Sequence, residues 1–283
     1  MTNHVATAAA AGEAPAIVQP EPAVRPSIAL AVWTLWRREF RGFYRQRARV
    51  IAGLATPLIF WLALGSGFGN SMQTSTGGGY LEYFFPGTVM LVVLFASIFS
   101  NISLIEDRSE GFLLSVLASP TPRWAMALGR ILGATTIGLA QGAVLLPLAP
   151  LLGMTPALER LPGVVAMLGL TAFSLTAMGF YFAWKLNSVQ GFHAVMNTAL
   201  MPMWLLSGAL FPIDGASGWM VVLMKINPLT YGVTGLRRML LDSGATAAGP
   251  SLATCWAVTL GFAVAAFAAA AWTVSRPSAE HLS

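Results

Sequence analysis

Six stretches of this chain are apolar for roughly the length that crosses a bilayer: residues 50–69, 84–105, 128–152, 163–186, 192–211 and 251–274. A hydrocarbon core about 30 Å thick is spanned by about twenty helical residues. Inside it each backbone N–H and C=O must bond within its own segment, so a continuous apolar run becomes an α-helix. A membrane β-barrel is built instead from strands of about ten alternating residues, a pattern these runs lack. Charged residues make up only 10% of the 283-residue chain, against about 25% in ordinary soluble domains. The expected fold is an all-α integral membrane protein with six transmembrane helices.

Lysine and arginine orient the bundle. With the N-terminus in the cytoplasm, Arg25, Arg37, Arg38, Arg41, Arg45, Arg47, Arg49, Arg108, Arg123, Arg130, Lys185 and Arg276 share that side, and Arg160, Lys225, Arg237 and Arg238 lie outside. This is the positive-inside bias, and it predicts a multi-pass protein with both termini cytoplasmic. Residues 1–27 are rich in Ala and Pro and are expected to be a disordered tail; residues 275–283 form a second cytoplasmic tail.

Two segments outside the spans carry structure of their own. In residues 28–49, Trp33, Trp36, Phe40, Phe43 and Tyr44 fall on one helical face while Arg38, Arg41 and Arg45 fall on another. Aromatic rings suit the headgroup boundary and cations suit an anionic leaflet, so a helix lying on the membrane surface is expected. The loop 212–250 contains GWMVVLMKINPLTYGVTGLRRML, two apolar pieces too short to cross. Pro228 has no backbone N–H and disfavours helix at Asn227, so the break belongs there. A re-entrant helical hairpin is expected, with Trp219, Asn227, Pro228 and Tyr231 shaping it.

The chemistry is as informative for what it lacks. Neither lysine, Lys185 or Lys225, belongs to a Gly-x-x-x-x-Gly-Lys-Ser/Thr phosphate loop. The span interiors hold no ionisable relay of the kind a proton-coupled carrier uses, since Glu106, Arg130 and Lys185 sit at the expected edges. Ser174 and His193 lack a hydrolase motif, and the single cysteine, Cys255, rules out an intrachain disulfide. Basic residues flank spans instead of forming a separate domain, which argues against nucleic acid. Asn101, Gln141, His193 and Asn197 are the uncharged polar groups at membrane depth, where bonding between helices is the usual role. Gly129-x-x-x-Gly133 and Gly138-x-x-x-Gly142 permit close helix approach.

Between the second and third spans lies EDRSEGFLLSVLASPTPRW, residues 106–124. Glu106, Asp107, Arg108 and Glu110 form a charged knuckle. Phe112 and Val116, and Leu113 and Leu117, then pair at i,i+4 along a helix too short to be stable alone, which Pro120 and Pro122 end. An apolar knob held out of the membrane by charges is what docking into another protein requires.

This stretch, extended to EDRSEGFLLSVLASPTPRWAMALGRIL, and LSGALFPIDGASGWMVVLMKINPLTYGVTGLRRML resemble the permease subunits of type-2 ABC exporters, nearest to the daunorubicin-resistance and nodulation-factor export permeases. The likeness runs from about Trp33 to Val274, with a local departure at Phe112, Leu113 and Leu114, where such permeases often carry an acidic or polar residue. It implies a coupling helix, with Glu106, Arg108, Glu110, Gly111, Phe112, Val116 and Leu117 engaging a separate ATP-binding subunit. It also implies an outer hairpin capping the exit, and a homodimer of permeases in the cell (inner) membrane. On this reading the chain is not itself an enzyme and binds no cofactor; ATP and Mg belong to the partner. The cargo is expected to be an amphipathic drug, lipid or oligosaccharide moved outward. The competing readings are a secondary carrier or channel independent of ATP, and a membrane-bound enzyme.

Overall fold

The computed structural model describes residues 27–45, 47–68, 79–112, 121–154, 156–241 and 249–276. Val116 and Leu117, the terminal tails and the side chain of Arg45 lie outside the described residues. Among those described, every regular element is helical: α1 (Ile28–Arg45), α2 (Arg47–Phe68), α3 (Tyr80–Phe99), α4 (Ile102–Ser109), α5 (Arg123–Leu145), α6 (Leu161–Lys185), α7 (Val189–Leu205), α8 (Gly218–Ile226), α9 (Pro228–Leu240) and α10 (Leu252–Ser275). Short 3₁₀ turns at Leu146–Leu152, Leu158–Arg160 and Ile213–Gly215 fill the joints. Pro147 and Pro150 fall in the first of these, because proline cannot continue the α-helical bond ladder.

Among the described residues, four stretches are long and apolar enough to cross a membrane: Tyr80–Ser109, Arg123–Leu152, Leu158–Lys185 and Leu252–Ser275. α2 carries a shorter apolar piece, Gly53–Gly67, and α7 runs 17 residues. α3 is the central post. It packs on α2, α5, α6 and α9, and Phe84, Val89, Met90, Val92, Val93 and Leu94 are inaccessible. α10 is peripheral: it leans on α6, α9 and α5 and leaves Leu260, Val264 and Trp272 exposed. Apolar side chains facing outward are no penalty where the solvent is lipid, so helix association rests on close packing and interhelical hydrogen bonds.

The two glycine motifs of α5 show that packing, and each serves a different neighbour. A Cβ at Gly142 would meet Val93 at 2.5 Å, and one at Gly138 would collide with Ser97, so the second motif seats α3. A Cβ at Gly129 would lie 2.9 Å from the Val32 carbonyl, and one at Gly133 would lie 2.6 Å from Cβ of Glu39. The first motif therefore seats α1. Val32, Leu35, Trp36 and Glu39, spaced i, i+3, i+4 and i+7, make the seam, and the Trp36 indole donates to Thr136 Oγ1 at 3.0 Å. Arg37, Arg41, Trp33 and Phe40 stay exposed on the rest of α1.

Candidate coupling region and outer hairpin

The charged knuckle forms where α3 ends. Asn101 donates through its side chain to the Ser97 and Ile98 carbonyls at 3.0 and 3.2 Å, and to Thr176 of α6 at 3.3 Å. A side chain that takes the carbonyls of its own preceding turn competes with the helix ladder. The chain breaks at Ser100–Asn101 and restarts as α4, with Ile102, Leu104, Ile105 and Asp107 on its buried side. Asn101 thus has the interhelical role expected for it.

Asp107 lies three residues beyond Leu104 and so turns inward with it. Arg38 grips it with both guanidinium nitrogens, Nη1 to Oδ2 at 2.6 Å and Nη2 to Oδ1 at 2.5 Å. Arg130 of α5 pairs with Asp107 from the other side and lies 3.4 Å from Glu39 of α1. Ser103 donates to the same Glu39 at 3.0 Å. Asp107, Arg130 and Glu39 are each at least nine-tenths buried at the side chain, while Arg38 is 40% exposed. Two cations face two anions across three helices. Only such pairing makes buried charge tolerable.

Arg108, the next residue, points to a different helix. Its guanidinium donates to the Trp184 carbonyl at 2.8 Å, the Leu186 carbonyl at 3.3 Å and Asn187 Oδ1 at 3.1 Å. These carbonyls end α6, where the last turn has no intrahelical partners and the dipole favours a cation. Arg123 does the same for α10, reaching the Val274 carbonyl at 3.4 Å. Of the knuckle's four charges, Asp107 and Arg108 therefore clamp the bundle. Glu106 is half-buried, and Glu110 is exposed.

Gly111 has φ +77°, the left-handed region that glycine enters without steric cost. It turns the chain sharply off α4. Phe112 follows, and the Arg38 guanidinium lies over its ring at 3.8 Å. Arg38, expected among the lipid-facing cations of α1, thus joins Asp107 and Phe112, while Arg41 remains exposed.

At the other end of α3, about 30 Å away along its axis, α8 and α9 form the hairpin. Asn227 breaks it as expected: its side chain accepts from the Leu229 N–H at 3.0 Å, with Pro228 at the first helical position. Its amide also donates to the Met203 carbonyl at 2.5 Å, tying the bend to α7. Tyr231 donates to the Lys225 carbonyl at 2.8 Å and closes α9 on α8. Trp219 is 64% exposed at the start of α8. Arg237 donates to the Gly208 carbonyl at 2.9 Å and sits 4.0 Å over the ring of Tyr83. Tyr83 and Tyr80 donate to the Gly208 and Leu210 carbonyls at 2.9 and 3.2 Å.

Glu39, Asp107, Arg130 and Arg237 have pairing roles that the sequence does not assign. Only Asp107 carries a local signal, its i,i+3 spacing from Leu104.

Residues 30–241 match the family profile described as ABC-2 type transporter. Nodulation protein J of Rhizobium meliloti (strain 1021) is 27% identical over 215 residues, covering 74% of this chain and 80% of that protein. The daunorubicin resistance ABC transporter permease protein DrrB1 of Streptomyces coeruleorubidus is 24% identical over 242 residues, covering 85% and 82%. With its apolar helices and three-quarters of its length inside the profile, the chain is a membrane protein that belongs to the ABC-2 type transporter family.

Proposed function

We propose that this chain is the membrane subunit of an ATP-driven exporter, with six spans and both termini on the cytoplasmic side of the cell membrane. Residues 106–124 dock into a separate ATP-binding subunit, which holds ATP and Mg; two copies of the permease form the pathway. α1 lies along the inner leaflet, and α8 with α9 re-enters the outer leaflet. The cargo is an amphipathic compound of the drug, lipid or oligosaccharide kind, in keeping with the daunorubicin-resistance permease among its relatives.

The observation that carries this reading is the keying of the knuckle. Asp107 and Arg108 join the residues beside the docking stretch to α1, α5 and α6. A load applied at Phe112 therefore reaches three helices through charge-assisted bonds instead of through a loose loop. A solvated linker has no use for such anchoring.

Phe112→Ala combined with Val116→Asp tests it. Losing a buried aromatic anchor commonly costs 2 kcal/mol or more, about thirtyfold in affinity. The variant is expected to fold, to lose its ATPase on purification and to stop nucleotide-dependent export in proteoliposomes. Retention of the ATPase at wild-type stoichiometry with normal export overturns the docking assignment. Export by the wild type that proceeds without nucleotide favours a carrier or channel.

A further inference from the structure

α7 buries one narrow stripe. Phe192, Met196, Leu200 and Trp204 recur at every fourth position, and the stripe meets α3, where Trp204 packs on Phe84 and its indole donates to the Gly87 carbonyl at 2.9 Å. A second stripe faces away from the bundle. Ala194, Asn197, Thr198, Met201 and Leu205 are all exposed, and their spacing of i, i+3, i+4, i+7 and i+11 puts them on one side of the helix.

Asn197 does not suit a face turned to lipid. It is the ninth of the 17 residues of α7, about 12 Å from either end of the helix, so on the six-span reading it lies near the middle of the bilayer. The neighbouring Thr198 hydroxyl is satisfied within its own helix, by the Ala194 carbonyl at 2.8 Å. The Asn197 amide makes no hydrogen bond among the described residues. An amide set in hydrocarbon without a partner loses its hydration and gains nothing in exchange. The outward side chains near the middle of α10, Leu260 and Val264, are apolar instead. One outer face therefore suits lipid, and the other asks for a polar partner.

We propose that the second stripe is where two copies of this chain meet, α7 against α7 about a two-fold axis along the membrane normal, with the two Asn197 amides bonded to each other. A carboxamide carries both donors and an acceptor, so it is complementary to its own copy, and a two-fold contact sets the same patch against itself. The stripe holds no charge that would select an unlike partner. Ala194 lets the two backbones approach closely, and a single polar residue in an otherwise apolar seam fixes register. Met201 also lines a cavity of about 380 Å³, which Phe60 of α2 lines as well, so the cavities of both copies come to lie beside the axis. This interface rests on the reading of six spans and two copies, and it supplies the face at which the copies meet.

The test uses the full chain in lipid vesicles, with Cys255→Ala to remove the single cysteine. Under oxidant, Ala194→Cys, Asn197→Cys and Met201→Cys are each expected to form disulfide-linked pairs, since the bond needs Cβ atoms within about 4.5 Å. Val195→Cys and Ala199→Cys, exposed on the other side of α7, are expected to stay unlinked. Energy transfer between labelled copies is then followed as lipid dilutes the protein. Asn197→Leu is expected to raise the dissociation constant about three- to thirtyfold, and Asn197→Gln, which keeps donor and acceptor, to hold it within about twofold. Equal cross-linking at Val195→Cys and Ala199→Cys overturns the interface, as does an Asn197→Leu variant that associates like the wild type. Energy transfer without cross-links along the stripe overturns it and leaves the two-copy reading standing. No energy transfer in the wild type overturns both and makes lipid the occupant of this face. Labelling of Asn197→Cys by a membrane-impermeant maleimide overturns the interface by taking α7 out of the bilayer.

Discussion

The two ends of α3 are fastened by different means. At the knuckle end, charge meets charge: Asp107 and Glu39 against Arg38 and Arg130. At the hairpin end the half-buried cation Arg237 and the hydroxyls of Tyr80 and Tyr83 meet backbone carbonyls between Gly208 and Leu210. Side chains paired with side chains hold one helix against another by charge, and the arrangement has no neutral fallback. Side chains paired with carbonyls hold a loop in shape, and several donors share the task. The first kind of joint transmits displacement and fails abruptly; the second fixes a form and fails by degrees.

Asp107→Ala is the sharpest way to break this contrast. It leaves Arg130 buried beside Glu39 alone, and removing one partner of a buried pair costs about 3–5 kcal/mol. Unfolding in detergent micelles should show that loss, and Asp107→Leu with Arg130→Met should recover most of it. A single variant no worse than the double one would mean the cluster is not a charge joint.

Arg237→Met comes next. It removes a charge-assisted bond to Gly208, worth about 1.5–3 kcal/mol, but the Tyr83 hydroxyl still occupies that carbonyl. The same unfolding measurement should place it below Asp107→Ala. A reversal of that order would reverse the comparison.

Gly133→Ala probes the knuckle end without touching a charge. The added methyl meets Glu39 at 2.6 Å, an overpacking of about 1–3 kcal/mol. Faster tryptic cleavage at the exposed Arg37 and Arg41 would show α1 lifting from α5. Tyr231→Phe is the mildest, losing only the bond to the Lys225 carbonyl, about 0.5–1.5 kcal/mol. Hydrogen exchange confined to α8 is its expected mark.

The sequence made some of this legible and hid the rest for definable reasons. The helical class and the break at Asn227–Pro228 are local consequences of hydropathy and of proline's missing donor, and the structure breaks at that residue; hydropathy does not mark the interruption of the expected span 84–105 at Ser100–Asn101 or the end of helix at Leu205 inside 192–211. The motif Gly129-x-x-x-Gly133 announced a close neighbour, but not that the neighbour is α1, whose buried seam is masked by Glu39. The pairing of Arg38 with Asp107 spans 69 positions, and nothing local distinguishes Arg38 from Arg41. Reversing Arg38 to Glu would place a third carboxylate beside Asp107 and Glu39, a larger injury than the loss of one lipid attraction of about 1 kcal/mol. Gln141 read as one more interhelical bonder like Asn101; only its oxygen beside Gly53, without a hydrogen-bond partner among the described residues, separates the two.

The four-membered charge cluster has one more consequence, which concerns ionic conditions. Two guanidinium groups and two carboxylates sum to zero, and a neutral cluster with three buried members is little screened by salt. The exposed Arg37 and Arg41 are not so protected, and on the proposed placement of α1 along the inner leaflet their attraction to anionic headgroups would fade as ionic strength rises. On that proposal α1 would be held by one joint that ignores the electrolyte and one that follows it. The distance between α1 and α5 would then stay constant through changes of salt and headgroup composition, while the hold of α1 on the leaflet varied.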